Sequence, residues 1–267
     1  MRTQISLCAA AARPQFWRRL YDSLSKNTVS FELVFVGPNE PDFDLPSNFT
    51  FIKSMVKPAQ AYEIAFRNAR GILGGWMCDD AHYNDPYAKC PNALDSVWQY
   101  WLWSLENHGD NKTIFSQRTI EDYRDQGHAD WEKHRFFYNR MNTPQMAPLG
   151  FINLDFFHQL GGYDKNFVCG QSENDIVMRA IEAGGRVETA KDSKVVLRHA
   201  ECHGKYAFRS GYFLDREFLE KCWVKEGFGT YEKNLPFTLS PTRLRPVERF
   251  DDEGILTANQ GPAGRWA

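Results

Sequence analysis

No stretch of this 267-residue sequence approaches the roughly 18 consecutive apolar residues that a bilayer-spanning helix needs. The N-terminus MRTQISLCAAAARP is too short and too weakly apolar to read as a secretory signal. Charge of one sign is also lacking: the formal net charge is −2. That excludes the dense basic footprint of a protein whose main work is gripping nucleic acid or an anionic membrane surface. The six cysteines (Cys8, Cys78, Cys90, Cys169, Cys202 and Cys222) contain no CxxC pair. They read as reduced, mostly buried thiols, so a cytoplasmic protein is expected. There is no internal repeat and no low-complexity segment. The Asn-x-Thr triplets at Asn48 and Asn111 carry no weight without a secretory signal.

What is present is a high content of aromatic residues, with Trp and Phe recurring along the whole length, enough for a substantial core. Gln4 to Ala10 is a short apolar strand, and Pro14 opens a helical pattern (Phe16, Trp17, Leu20, Leu24) that stops near Lys26 and Asn27. Phe31 to Val36, FELVFV, is nearly continuously apolar, as in a strand covered on both faces. Phe49 to Ile52 is a third strand. Pro58 begins a second helix with Ala61, Ile64, Ala65 and Ala69 at helical spacing, and Gly75 to Cys78 follows as a fourth strand. This alternation predicts an α/β domain with a mostly parallel sheet. Ligands bind such sheets at the carboxyl ends of the strands. The breaks Ala9–Pro14, Val36–Glu40 and Asp79–His82 should therefore gather on one edge.

Further on, Leu94, Val97, Trp98, Trp101, Leu102 and Leu105 form a helical stripe expected to face the core. Thr113 to Gln117 reads as a strand and residues 118–148 as a long polar and aromatic loop. The domain is expected to end near residue 205. Residues 206–267 are then expected to form a C-terminal extension with one helix, Tyr212 to Trp223, and a Pro- and Gly-rich irregular tail that wraps the surface or is partly disordered.

Three constellations carry chemistry. Asp79-Asp80-Ala81-His82 puts two carboxylates and an imidazole at a strand end, where a divalent cation would offset the repulsion between the acids; a solvated turn is the alternative. Gly161-Gly162-Tyr163-Asp164 precedes Glu173 and Asp175 at the start of a helix. Acids there also satisfy a helix dipole, but two glycine hinges just before them point to a carboxylate placed beside a pocket. His199 and His203 follow the strand-like Val195 to Leu197. His199-x-Glu201 matches only half of the zinc-deaminase signature, whose downstream PCxxC is missing, and an HxxxH with no Glu directly after its first His lacks the metalloprotease logic.

These features in this order resemble a nucleotide-sugar glycosyltransferase of the GT-A fold, family-two-like, over roughly residues 3 to 205. Ala65-Phe66-Arg67-Asn68 with Gly71-Ile72 and Gly75-Trp76 is similar to the family's helix leading into its metal-binding strand. Asp80-Ala81-His82 is similar to the Asp-x-His variant of its Asp-x-Asp motif. Gly150 to Asn153, Phe157, the GGYD segment, Phe167 and Glu173-x-Asp175-x3-Arg179 resemble its second signature. Two departures stand out: Val36-Gly37-Pro38-Asn39-Glu40 replaces the usual Asp-Asp-x-Ser at the nucleobase, and Ser172-Glu173 stands where Glu-Asp is common.

The resemblance implies a GT-A domain, a Rossmann-like, mostly parallel sheet flanked by helices, with a C-terminal extension. It implies an inverting hexosyl transfer from a nucleotide-diphosphate sugar, UDP-linked in preference to GDP-linked, to a hydroxyl of a glycan or other acceptor. Nucleic acid is not an expected partner. Glu173 is the implied base and Asp175 its companion. Asp80, His82 and His199 are the implied ligands of Mn2+ (or Mg2+), with His203 as competitor for the third place. Ala10, Arg13, Asn39, Arg67 and Asp79 are the implied donor-binding residues. The alternatives are a non-catalytic sugar- or nucleotide-binding protein on the same scaffold and a sugar-1-phosphate nucleotidyltransferase. The latter would want a basic, glycine-rich loop where Ala9-Ala-Ala-Ala-Arg13 stands.

Overall fold

The computed structural model describes residues 3–86, 88–121, 149–197, 209–223 and 242–251. Eight strands, β1 (Ile5–Ala10), β2 (Phe31–Gly37), β3 (Phe49–Lys53), β4 (Leu73–Trp76), β5 (Ala81–His82), β6 (Thr113–Glu121), β7 (Gly150–Asn153) and β8 (Arg186–Leu197), form one sheet. Their order is β3-β2-β1-β4-β7-β6-β8-β5. The pairings β1 with β2 and β4, β2 with β3, and β6 with β8 are parallel; β7 and the two-residue β5 run against their neighbours. FELVFV is buried along almost all its length because helices cover both faces of β2.

The helices are α1 (Trp17–Ser23, preceded by a 3-10 turn at Pro14–Phe16), α2 (Pro58–Asn68), α3 (Ala93–His108), α4 (Leu154–Gln159), α5 (Ser172–Glu182) and α6 (Arg209–Cys222). Proline sits in the first turn of the 3-10 segment and of α2, where its missing N–H costs nothing and its fixed φ suits the helix. One apolar cluster, centred on Trp17, Phe35 and Leu94, covers one face of the sheet. A second, centred on Phe66, Phe157 and Ile176, covers the other. A third, smaller one joins Phe167 and Met178 to Leu219 and Trp223 of α6 and its end.

The structure moves several expected boundaries. β4 ends at Trp76, so Met77 and Cys78 intervene before the aspartates. β6 continues through Glu121, well past the expected end at Gln117, because β8 pairs with it throughout, across a register shift at Gln117/Arg118. The stripe on α3 is core only in its first half. Leu94 and Val97 are fully buried, Trp98 and Trp101 are partly buried with ring centroids 4.6 Å apart, and Leu102 is 37% exposed. The expected loop beyond residue 121, and His199, Cys202 and His203, lie outside the described residues. The five described cysteines are free thiols. Among the described residues no helix is long and apolar enough to cross a membrane.

Candidate active site

The three chain breaks converge at the carboxyl edge of the parallel strands. β1 and β2 end side by side, with Ala10 opposite Val36 and the Ala11 N–H donating to the Val36 carbonyl at 2.8 Å. Gly37 is required here, because a Cβ on it would lie 1.6 Å from the Ala11 carbonyl oxygen. Asn39 Nδ2 donates to the Ala12 carbonyl at 2.7 Å, which ties the loop after β2 to the loop after β1.

Asp79 organises this edge. It is 1% exposed, and its Oδ2 accepts from the backbone N–H groups of Ala12 and Arg13, each at 2.8 Å. Its Oδ1 accepts from Arg13 Nε at 2.7 Å and from Arg13 Nη2, and the indole of Trp17 reaches Oδ2 at 3.4 Å. The Arg13 guanidinium also stands 3.2 Å from Asp80 Oδ1, and Asp80 is fully buried. Two adjacent carboxylates are tolerated because one guanidinium faces both, at a site where unpaired charge is costly.

His82 lies on β5, opposite Val196, and its Nδ1 is 3.3 Å from the buried Asp85. A carboxylate on one imidazole nitrogen is the arrangement that orients a metal-ligating histidine through the other. The ring borders an open groove of about 440 Å³ against α1, shared with Gln15, Arg18, Arg19, Asp22 and Asn84. Ala81 is paired with Leu197, the last described residue of β8. Among the described residues no group of three or more His, Cys, Asp or Glu side chains is placed to hold a metal. Asp80 and His82 suit a divalent cation by type, one carboxylate and one imidazole.

Glu173 stands in the first turn of α5, after Gln171, which takes a left-handed φ of 61°. A non-glycine residue holds that conformation only where its surroundings over-determine it. Here the Gln171 carbonyl accepts from the Asp175 N–H at 3.0 Å, and its side chain accepts from Asn174 Nδ2 at 2.6 Å. Burial pushes the Glu173 carboxyl above the ordinary glutamate range, with the charge of Asp215 acting in the same direction. Tyr62, whose hydroxyl donates to the Met77 carbonyl at 2.7 Å, feels the charges of both Glu173 and Asp79.

Asp175 is placed differently from its neighbour. It is fully buried and accepts from Arg179 Nε at 2.8 Å, Trp223 Nε1 at 3.0 Å and Arg243 Nε at 3.1 Å. Arg179 continues to the carbonyls of Leu160 and Gly162, locking the glycine turn. Gly162 takes φ +70°, and a Cβ there would meet the Glu63 carboxylate that accepts from the Tyr163 N–H. Arg67 is not brought to the edge. It lies in the last turn of α2, donating to Glu63 at 2.9 Å and to the Phe250 carbonyl at 2.6 Å.

The structure thus gathers Ala10, Arg13, Asn39, Asp79 and Asp80, sets His82 against Asp85 at the groove beside α1, puts Glu173 at the head of α5, and holds Asp175 and Arg67 in the scaffold. Sequence reasoning passed over Arg243 and Asp215, which lie in the C-terminal extension. Arg243 is wedged between Asp164 (2.8 Å) and Asp175, its side chain only 5% exposed. Nothing local marks it, since an arginine in a proline-rich segment reads as surface.

A mostly parallel sheet flanked by helices, with acids at its carboxyl edge, makes this an α/β protein, and the solved structures it superposes on give it the GT-A fold. No family model and no curated protein sequence matches the chain. Among solved structures, TarS of S. aureus superposes with a TM-score of 0.53 at 12% identity, over 81% of this chain and 39% of TarS. A TarS fragment, residues 1–349, gives 0.51 at 12% identity, over 72% of this chain; the chain spans 60% of that fragment's length. A mannosyltransferase, PcManGT from Pyrobaculum calidifontis in complex with GDP-Man and Mn2+, gives 0.49 at 17% identity, over 73% of this chain and 56% of its own. At such identities the likeness to TarS speaks for the fold.

Proposed function

We propose that the chain is an inverting glycosyltransferase that moves a hexosyl group from a nucleotide-diphosphate sugar, UDP-linked in preference to GDP-linked, to a hydroxyl of a glycan or other acceptor. The observation that carries this reading is the meeting of the β1, β2 and β4 loops around Asp79, Asp80 and Arg13 at the carboxyl edge of the sheet. In a GT-A fold that edge is where a nucleotide and its diphosphate have room to lie.

Ala10 and Asn39 border the crevice for the nucleoside. Asp79 holds the Ala12–Arg13 backbone in place for it, and Arg13 presents a guanidinium to phosphate oxygens. Glu173 accepts the proton of the acceptor hydroxyl as that oxygen attacks the anomeric carbon from the face opposite the diphosphate, so one displacement inverts the centre. Its raised affinity for a proton suits a base that must take one up near neutral pH. Asp175 keeps the turn that carries Glu173 in place, and Arg67 acts at a distance by fixing Glu63 behind the glycine turn. Asp80 and His82, with His199 from beyond the paired end of β8, would hold Mn2+ or, less well for imidazole ligands, Mg2+. That cation would supply neutralisation of charge on the departing diphosphate.

The test is a thermal-shift and calorimetric screen of UDP- and GDP-sugars with and without Mn2+, followed by assay of nucleotide release. Binding that requires Mn2+ supports the reading. No shift with any sugar nucleotide, in either condition, would refute it.

A further inference from the structure

The segment that leads into α5 is gripped from α6. Asp215, 1% exposed, accepts three consecutive backbone N–H groups: Val168 to Oδ1 at 2.8 Å, and Cys169 and Gly170 to Oδ2 at 2.7 and 2.8 Å. Successive N–H groups curled around one anion form a nest of the kind that binds phosphate or sulfate. Here the anion belongs to the protein. On its other side the Val168 carbonyl accepts from the Ala59 N–H at the head of α2, 3.0 Å away. Phe167, Met178, Leu219 and Trp223 pack the same junction with apolar surface. Gln171 in its left-handed conformation and then Glu173 follow within three residues of the nest.

We propose that Asp215 is a positioning residue for Glu173. By holding the Val168–Gly170 backbone from α6, it fixes where α5 begins and therefore where the Glu173 carboxyl stands. The inference rests on Glu173 acting as the base. The groups facing Glu173 are Tyr62 of α2, Tyr163 of the glycine turn, Cys169 of the gripped loop and Asp215 itself. None of these brings a positive charge; burial and Asp215 push the carboxyl upward, against hydrogen bonds from the backbone at Glu173 and Gln171 and from the Ser172 side chain. Burial pushes the Cys169 thiol upward too, with Asp215 adding to the shift.

Asp215→Asn keeps the side-chain volume but turns one acceptor oxygen into a donor facing N–H groups, so the nest opens. In full-length protein labelled with δ-13C glutamate, with Glu173→Gln used for assignment, the Glu173 signal should titrate at lower pH in Asp215→Asn than in the wild type. If the two titrate alike while circular dichroism shows both folded, the proposal is overturned. Should Asp215→Asn fail to fold, hydrogen exchange on the wild type decides: the Cys169 and Gly170 amides should exchange as slowly as those of β1. Exchange as fast as an exposed loop overturns the idea. Neither readout needs a donor, so a wild type that binds no UDP- or GDP-sugar, with or without Mn2+, defeats the glycosyltransferase reading while the Asp215 assignment is still judged. With a cleaved donor, Asp215→Asn should lower kcat by roughly ten- to a hundredfold, the scale of a misplaced group, and leave KM for the donor nearly unchanged. An unchanged kcat in a folded variant also overturns it.

Discussion

Arg243→Ala is the perturbation whose size follows most directly from the structure. The guanidinium joins the glycine-turn acid Asp164 to the α5 acid Asp175, at 2.8 and 3.1 Å, and donates from Nη1 to the Arg245 carbonyl at 2.6 Å. Asp164 is 1% exposed and Asp175 is fully buried, so water does not replace the lost partner. Asp175 keeps Arg179 and Trp223, whereas Asp164 keeps only neutral donors among the bonds described: the Asn166 N–H and amide, and the Glu248 N–H at 3.4 Å. Breaking a buried pair from one side costs about 3–5 kcal/mol. At the roughly 2–4 °C per kcal/mol typical of chains this long, the melting temperature should fall by about 6–20 °C. Urea denaturation followed by circular dichroism measures the loss. Adding Asp164→Asn removes the uncompensated charge, so the double variant should recover at least about 1 kcal/mol relative to the sum of the single changes. A loss below about 1 kcal/mol for Arg243→Ala, or strict additivity of the pair, would refute the reasoning.

Asp80→Asn should leave the melting temperature within a few degrees while nucleotide affinity in Mn2+ falls at least about tenfold, some 1.4 kcal/mol, by calorimetry; unchanged affinity removes Asp80 from donor binding. Glu173→Gln should still bind donor and transfer at least about a hundredfold more slowly, and full turnover on the true acceptor would shift the role of base to another group. In the wild type, the acid limb of kcat should lie above the ordinary carboxylate range, because the base works only as pH rises through its raised value. The same sign governs stability. The native state holds this proton more tightly than the unfolded chain, so the contribution is present at low pH and lost as pH rises through the folded value. Glu173→Gln should accordingly raise the melting temperature at neutral pH, and a fall there contradicts the assigned burial. Gly37→Ala should cost more than about 4 kcal/mol or prevent folding, since its Cβ would overlap the Ala11 carbonyl oxygen; a near-native melting temperature would mean that β1 and β2 separate more easily than their pairing implies.

The order of strands and helices up to β4 was legible from residues alone. FELVFV has no polar side to show solvent, Pro14 and Pro58 can stand only near helix starts, and Asp79-Asp80 ends an apolar run at the edge where parallel strands leave room for a ligand. These are local signals, each contained within a few residues of chain. What the local pattern did not carry is which partner each charge takes. Asp79 and Asp80 look alike in sequence, yet Asp79 clamps the Ala12–Arg13 backbone 67 and 66 residues away. Asp175 sits two residues from Glu173 on the same helix, but its surroundings are Arg179, Trp223 and Arg243, the last 68 residues distant. Asp215 and Arg243 lie in stretches with no motif at all. Periodicity reports which face of an element is apolar, because neighbours three or four residues apart share that face. It carries no information about pairs that meet only when the sheet, α5 and α6 pack together, and there desolvation makes each buried carboxylate depend on the cations and N–H groups that packing brings within reach. The strand-end and helix-head acids were therefore legible in the sequence, and the setting that divides Asp79, Asp175 and Glu173 into clamp, anchor and candidate base was decided by tertiary packing.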